Sequence, residues 1–220
     1  MSLGGSLIVP DKIDTAYLAK FSKFINSFVK KGYRFVIVTG GGKVSRDYMD
    51  SLRKIGCSEN DVSFAGIKVT KLNAFIVSKY LKTKAKVPEN ISEIKNLIKN
   101  YKVVVCGGFK PGMTSDGDAA EIARMLNTKV MFNLTNVDGL FDKDPRKFRD
   151  AKLIKTISSA DFIKIMRKIG HKAGQHFVLD LNAAEICLRC RIRVFILSGN
   201  ALANFADCLR GKSFKGTEIY

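Results

Sequence analysis

This sequence predicts an α/β protein, a three-layer α-β-α sandwich with a mainly parallel central sheet. Three observations carry that prediction. Short, wholly apolar runs recur along the chain: Phe35-Val-Ile-Val38, Val103-Val-Val-Cys106, Val130–Leu134 and Val194–Leu197. Runs of this kind suit strands covered on both faces, as in parallel sheets. Segments of helical period separate them, and that alternation is the pattern of parallel α/β units. Glycine turns also follow apolar segments, at Gly4-Gly5, Gly40-Gly41-Gly42 and Gly107-Gly108.

In chain order, Gly4-Gly5-Ser6 reads as a tight turn. From Asp11 to Lys31, Ile13, Tyr17, Phe21, Phe24, Ile25, Phe28 and Val29 fall on one helical face. Gly32 stands where a helix ends. The strand at 35–38 runs into the triple glycine, and helices are expected at 44–55, 61–81 and 92–100. The strand at 103–106 stops at two glycines, and a helical pattern resumes over 116–126. A strand at 130–134, helices near 159–169 and 177–190, a strand at 194–197 and a helix at 201–210 complete the chain. No internal repeat is present.

With 220 residues and 46% hydrophobic content, the chain can bury one sizeable core, and a single domain over 1–220 is expected. Prolines stand only at 10, 88, 111 and 145, and no low-complexity linker interrupts the sequence. No apolar run approaches the ~20 residues that span a bilayer. Met1 leads straight into a glycine turn, unlike a signal peptide. Five scattered cysteines, at 57, 106, 187, 190 and 208, suit reduced thiols, so a cytoplasmic location and no membrane partner are expected. The net charge of +18 is read as a solvated lysine-rich surface that attracts phosphates. The lysines are dispersed and no nucleic-acid-binding signature occurs, so a nucleic-acid partner is not expected.

Glycine turns that deliver a strand into a helix expose backbone N–H groups at a helix N-terminus, where the dipole also favours anions. Three such places in one chain suggest a polyphosphate shared between two substrates, and thus phosphoryl transfer. Lys43 and Arg46 add positive charge beside the triple glycine. Neither Gly42-Lys43 nor Gly211-Lys212 is a Walker A motif: Val44 replaces Ser/Thr in the first, and Ala206 replaces the leading glycine in the second. Thr135-Asn-Val-Asp-Gly-Leu-Phe-Asp-Lys-Asp-Pro145 follows an apolar strand and offers hydroxyl, amide and carboxylate groups at its C-terminal end, where open α/β sheets bind ligands. Cys187-Leu-Arg-Cys190 lies within a helical pattern and is not read as a zinc site. His171 and His176 are read as surface or loop residues, and no metal-ligating set is assigned.

The ordered set Gly4-Gly-Ser6, Thr39-Gly-Gly-Gly-Lys-x-x-Arg46, Gly66-Ile-Lys-Val-Thr-Lys-Leu-Asn-Ala74, Gly107-Gly-x-x-Pro-Gly-x-Thr-Ser-Asp116 and Thr135-Asn-Val-Asp-Gly-Leu-Phe-x-x-Asp-Pro145 resembles the amino-acid-kinase superfamily. Within it the chain is most similar to archaeal-type uridylate (UMP) kinases. Ala173-Gly174, Asp180-x-x-Ala-Ala184 and the final Gly-Lys-x-Phe-x-Gly-Thr segment fit as well. The resemblance implies an acceptor-binding part mainly in 1–115 and an ATP-binding part mainly in 116–220. It implies that Gly4, Gly5, Ser6, Gly41 and Arg46 face the ATP phosphates, and that Thr135, Asn136, Phe141 and Asp144 hold the nucleoside. It assigns the acceptor, UMP, to Gly40, Ser63 and the loop of Lys110, Pro111, Gly112, Met113, Thr114, Ser115 and Asp116. Lys43 and Asp116 are the catalytic candidates, with ATP and Mg²⁺ as cofactors. Read as local structure alone, Asp116 is a helix N-cap.

The chain departs from the family pattern at Ser63, where Asp is usual, and at Lys71, where Arg is common. Only three residues precede Gly4, so the first core strand is expected to be largely missing, and an upstream extension to raise stability and turnover. Homo-oligomers, hexamers by the resemblance, are expected, with the aromatic face of the first long helix (Tyr17, Phe21, Phe24, Phe28) as an interface. The expected activity is ATP-dependent phosphorylation of UMP to UDP in pyrimidine nucleotide biosynthesis. Its rivals are a same-fold kinase for another small phosphate or carboxylate, and a weakly catalytic nucleotide-binding protein that associates with nucleic acid.

Overall fold

The computed structural model describes residues 1–145, 147–169 and 178–220. The chain divides into two compact units, Met1–Asp118 and Ala119–Tyr220.

In the first unit, β1 (Ser2–Leu3) and α1 (Gly5–Ile8) lead into α2 (Thr15–Lys30), β2 (Phe35–Thr39), α3 (Gly42–Lys54), α4 (Glu59–Tyr80), α5 (Ile91–Asn100) and β3 (Val103–Cys106). Its strands lie in the order β3-β2-β1, all parallel, with Val36 opposite Val104 and Ser2 opposite Val38. The first strand, expected to be largely missing, is two residues long and still pairs with β2: Val38 N–H donates to Met1 O and Gly40 N–H to Leu3 O, both at 2.9 Å. Helix starts are set by side chains that accept otherwise orphaned N–H groups. Asp14 caps α2 by accepting from Tyr17, and Ser58 and Asn90 do the same for α4 and α5. Asp14 is why α2 begins at Thr15 rather than at Asp11. Gly32 follows α2 with a φ of +94°, a conformation open to glycine.

One expectation fails here. Tyr17, Phe21 and Phe28 are buried inside the unit, with the Tyr17 and Phe21 rings stacked 5.8 Å apart. These side chains are core, not a spare apolar surface, because α2 packs on α1 and α4; Phe24 is half-buried.

Helix α6 (Ser115–Met125) carries the chain into the second unit, which contains β4 (Val130–Thr135), β5 (Thr156–Ile157), α7 (Ser159–Ile169), α8 (Leu181–Cys190), β6 (Arg193–Ser198), α9 (Leu202–Leu209) and β7 (Thr217–Ile219). Its strand order is β4-β6-β7-β5, with β4/β6 and β5/β7 parallel and β6/β7 antiparallel. The fold class is the mainly parallel α/β type that the sequence predicts. Asp180 caps α8 through Ala183 N–H at 2.9 Å, so that helix starts four residues after position 177. The Ala173-Gly174 pair and both histidines lie outside the described residues.

Candidate active site

In the first unit the Gly4–Ser6 and Gly40–Gly42 segments meet backbone to backbone. A Cβ on Gly40 would sit 2.7 Å from Gly5 N, and one on Gly42 would sit 2.8 Å from Gly5 C and O. Gly42 also has a φ of +68°. Only glycines allow this approach, and the two segments pack main chain on main chain, with Gly5 and Gly40 buried. Gly5 lies at the start of α1 and is not a simple turn residue. Gly4, Ser6 and Gly41 are half-buried, while Arg46 projects from the first turns of α3 and is exposed. Lys43 is exposed too, and its ammonium pairs with Asp47 one turn along α3 at 2.7 Å. That hydrogen bond holds the Lys43 pKa above the usual lysine value.

The loop after β3 is seated on α4 and α6. A Cβ on Gly107 would lie 2.5 Å from Lys71 N and 2.7 Å from Thr70 Oγ1. Gly108 N–H donates to Thr70 Oγ1 at 2.8 Å, and Phe109 N–H donates to the buried Asp118 carboxylate at 3.2 Å. These two N–H groups are therefore spent within the protein. Beyond them, Lys110–Met113 close a turn with Met113 N–H on Lys110 O at 3.2 Å. Pro111 followed by Gly112 at a φ of +75° is the residue pair that a type II turn requires. Lys110, Pro111, Gly112 and Thr114 are exposed, and Met113, Ser115 and Asp116 are half-buried. The residue whose side chain caps α6 is Thr114, whose hydroxyl accepts from Gly117 N–H at 3.1 Å. Asp116 lies inside the first turn and is not the cap. Ser63 is half-buried on α4, and Lys71 pairs with the Glu89 carboxylate.

In the second unit Thr135 ends β4, and Asn136, Phe141 and Asp144 follow on the loop behind it. Thr217 on β7 fastens that loop. Its hydroxyl accepts from Leu140 N–H at 2.8 Å and donates to Ile154 O at 2.6 Å. Phe141 bridges Leu153, Lys152 N–H donates to Asp142 at 2.8 Å, and Lys215 pairs with Asp138 at 2.6 Å. Cys187 is buried on α8 and Cys190 is half-buried, both as free thiols. Among the described residues, no group of three or more His, Cys, Asp or Glu side chains gathers as metal ligands, and no helix is long and apolar enough to cross a membrane.

The sequence profile of the Amino acid kinase family matches residues 1–198. The chain belongs to the amino acid kinase family. It is 37% identical over 220 residues to a uridylate kinase of Thermoplasma volcanium, covering all of this chain and 96% of that protein. It is 35% identical to the uridylate kinase of Archaeoglobus fulgidus, covering 98% of it. The crystal structure of uridylate kinase from Archaeoglobus fulgidus superposes with a TM-score of 0.87 at 34% identity, covering 100% of this chain and 98% of that one. A Bacillus anthracis UMP kinase shares the fold, with a TM-score of 0.81 at 19% identity.

Motif reading of this amino acid kinase assigned no role to Thr70, Asn73, Asp118 or Thr217. Thr70 and Asn73 fall within the Gly66–Ala74 motif, but their spacing does not say what they touch. Asp118 is 1% exposed and Thr217 0%, and a polar residue with a purely internal partner leaves no periodic signal.

Proposed function

We propose that this amino acid kinase transfers the γ-phosphoryl group of ATP to UMP, forming UDP and ADP. The observation that carries the reading is the likeness to uridylate kinases along the whole chain, at 37% identity. The geometry adds glycine loops of the kind that phosphates need.

In this reading Gly4, Gly5, Ser6 and Gly41 present backbone to the ATP phosphates, and Arg46 and Lys43 neutralise charge as the phosphoryl group moves. Thr135, Asn136, Phe141 and Asp144 hold the nucleoside of ATP. Gly40, Ser63 and the Lys110–Asp116 loop hold UMP. ATP enters as its Mg²⁺ complex, because Mg²⁺ takes phosphate oxygens and keeps several waters. Asp116, in the first turn of α6, would orient that cation or the neighbouring basic groups. Phosphoryl transfer leaves little covalent work to the protein, so catalysis consists of alignment and charge stabilisation. Ser63 binds ribose as a neutral hydroxyl, more weakly than a carboxylate would.

We place the enzyme in the cytoplasm, in pyrimidine nucleotide synthesis, as a homo-oligomer with the hexamer as its expected state. Support for assembly comes from α4, where Phe64, Leu72 and Phe75 are 46%, 67% and 53% exposed. Apolar side chains grouped on one helix mark an interface. Light scattering on the wild type and on Leu72→Glu/Phe75→Glu tests this. A 24.4 kDa wild-type particle would refute it.

An ADP-release assay with UMP, CMP, AMP and small carboxylic acids tests the activity. Preference for UMP is expected, and turnover with another acceptor but not UMP would overturn the substrate assignment. Retention of RNA on a filter that falls steeply with salt would instead favour a nucleic-acid role.

A further inference from the structure

Helix α4 holds two of the glycine loops of the first unit, Gly40–Gly42 and Gly107–Phe109, through two residues three positions apart, which places them on the same helix face. Asn73 is 5% exposed. Its Nδ2 donates to Gly40 O at 2.8 Å and reaches Gly41 O at 3.5 Å. Thr70 serves the other loop. Its hydroxyl donates back to Ile67 O at 2.7 Å, which turns the oxygen lone pairs outward to accept Gly108 N–H at 2.8 Å. The helix is itself anchored at this point. Thr39, fully buried at the end of β2, shares its one hydroxyl proton between Thr70 O at 2.8 Å and Cys106 O at 3.2 Å. The two strand ends and α4 are thus tied at one place, immediately before each glycine loop begins.

We propose that Thr70 and Asn73 are positioning residues that together set the separation of the Gly40–Gly42 and Gly107–Phe109 loops. The inference rests on the kinase reading above, in which the triple-glycine loop bears on the phosphates and Gly107–Phe109 leads into the Lys110–Asp116 loop that holds UMP. Neither side chain touches a phosphate in this role. Asn73 restrains the carbonyls of the triple-glycine loop, and its own buried amide would otherwise be unpaired. Thr70 restrains the N–H of the second loop. Glycine-rich backbone has no side-chain packing to hold it, so these bonds replace the rigidity that packing supplies elsewhere. One stiff helix carrying both contacts keeps the loops in register, and a misplacement of about 1 Å in a transfer site costs up to roughly a hundredfold in rate.

The test compares Thr70→Val, Thr70→Ser and Asn73→Ala with the wild type, at a temperature where circular dichroism shows all four folded. In Thr70→Val and Asn73→Ala we expect kcat to fall by roughly 10- to 100-fold, with KM for UMP and ATP changing by less than about threefold, since most binding contacts persist. Thr70→Ser keeps the oxygen and should restore kcat to near wild type. A purely structural role would lower the melting temperature without this split and without rescue by serine. Amide exchange at Gly108 gives a readout that needs no activity: it should accelerate in Thr70→Val and stay slow in Thr70→Ser. Folded Thr70→Val and Asn73→Ala enzymes with wild-type kcat would overturn the inference, and so would unchanged Gly108 exchange in Thr70→Val. A wild type without turnover on UMP would sink the kinase reading instead, and Gly108 exchange would still decide whether Thr70 holds the loop.

Discussion

Gly107 has no space for a side chain, since a Cβ there would press on Lys71 N at 2.5 Å. The obstruction is helix backbone, which cannot rotate away. Gly107→Ala should therefore cost about 1–3 kcal/mol, the range for overpacking a rigid site. Gly66 is the control. Its added Cβ would meet Met49 Sδ at 3.1 Å and Ser45 Oγ at 3.3 Å, both ends of side chains that can turn. Gly66→Ala also gains helix propensity of up to ~1 kcal/mol inside α4, so its net effect should be small. Thermal melting of the two variants side by side checks the contrast, and equal losses would refute it. The residue scale is where the sequence says least. Gly107 and Gly66 look alike in the chain, and only the neighbouring backbone separates them.

At the scale of elements, most helices and core strands were legible because their signals are local. The apolar runs at 35–38 and 103–106 became β2 and β3, and the helical periods became α2 to α5. Helix ends moved by a few residues wherever a capping side chain decided them, as Asp14 does for α2 and Asp180 for α8. Asp180→Ala should cost ~1 kcal/mol by stranding Ala183 N–H. For a chain of this length that lowers the melting temperature by about 2–4 °C, and Asp180→Asn should recover most of it. Scanning calorimetry decides between them. The elements that escaped the sequence are short: β5 has two residues and β7 three. A strand of that length carries no period, and β7 exists because Thr217 and Ile219 find partners already in place on β6.

At the scale of the whole molecule, stability at alkaline pH should be limited by buried thiols. Burial, with the charge of Glu218 adding to it, pushes the Cys208 thiol from its ordinary 9.0 up to about 12. Burial raises Cys106 further, against a smaller lowering by the chain's amino terminus. Below pH 9 both folded and unfolded chains keep these protons, so they contribute no pH dependence. Between pH 9 and about 12 the unfolded chain loses the Cys208 proton while the folded one retains it. Stability must then fall as pH rises, by up to about 1.4 kcal/mol per pH unit for each such group. Urea unfolding from pH 8 to 11 should show this decline, with a shallower slope for Cys208→Ala. Parallel slopes for the two proteins would count against it.

The sequence by itself determined the alternation of strand and helix, the kinase family and the set of loops at which phosphates are expected to bind. Those properties reside in local pattern and in glycine, proline and polar residues at fixed offsets, where backbone conformation depends on near neighbours. Only the tertiary structure decided that the aromatic face of α2 is core. The same holds for Thr114 rather than Asp116 as the cap of α6, and for Thr70 and Asn73 reaching separate glycine loops from one helix. Each of these depends on which chemical group arrives from a distant part of the chain. Asn73 and Gly40 are 33 positions apart, and Thr70 and Gly108 are 38. No spacing rule connects them, because their proximity comes from the packing of α4 against β2 and β3.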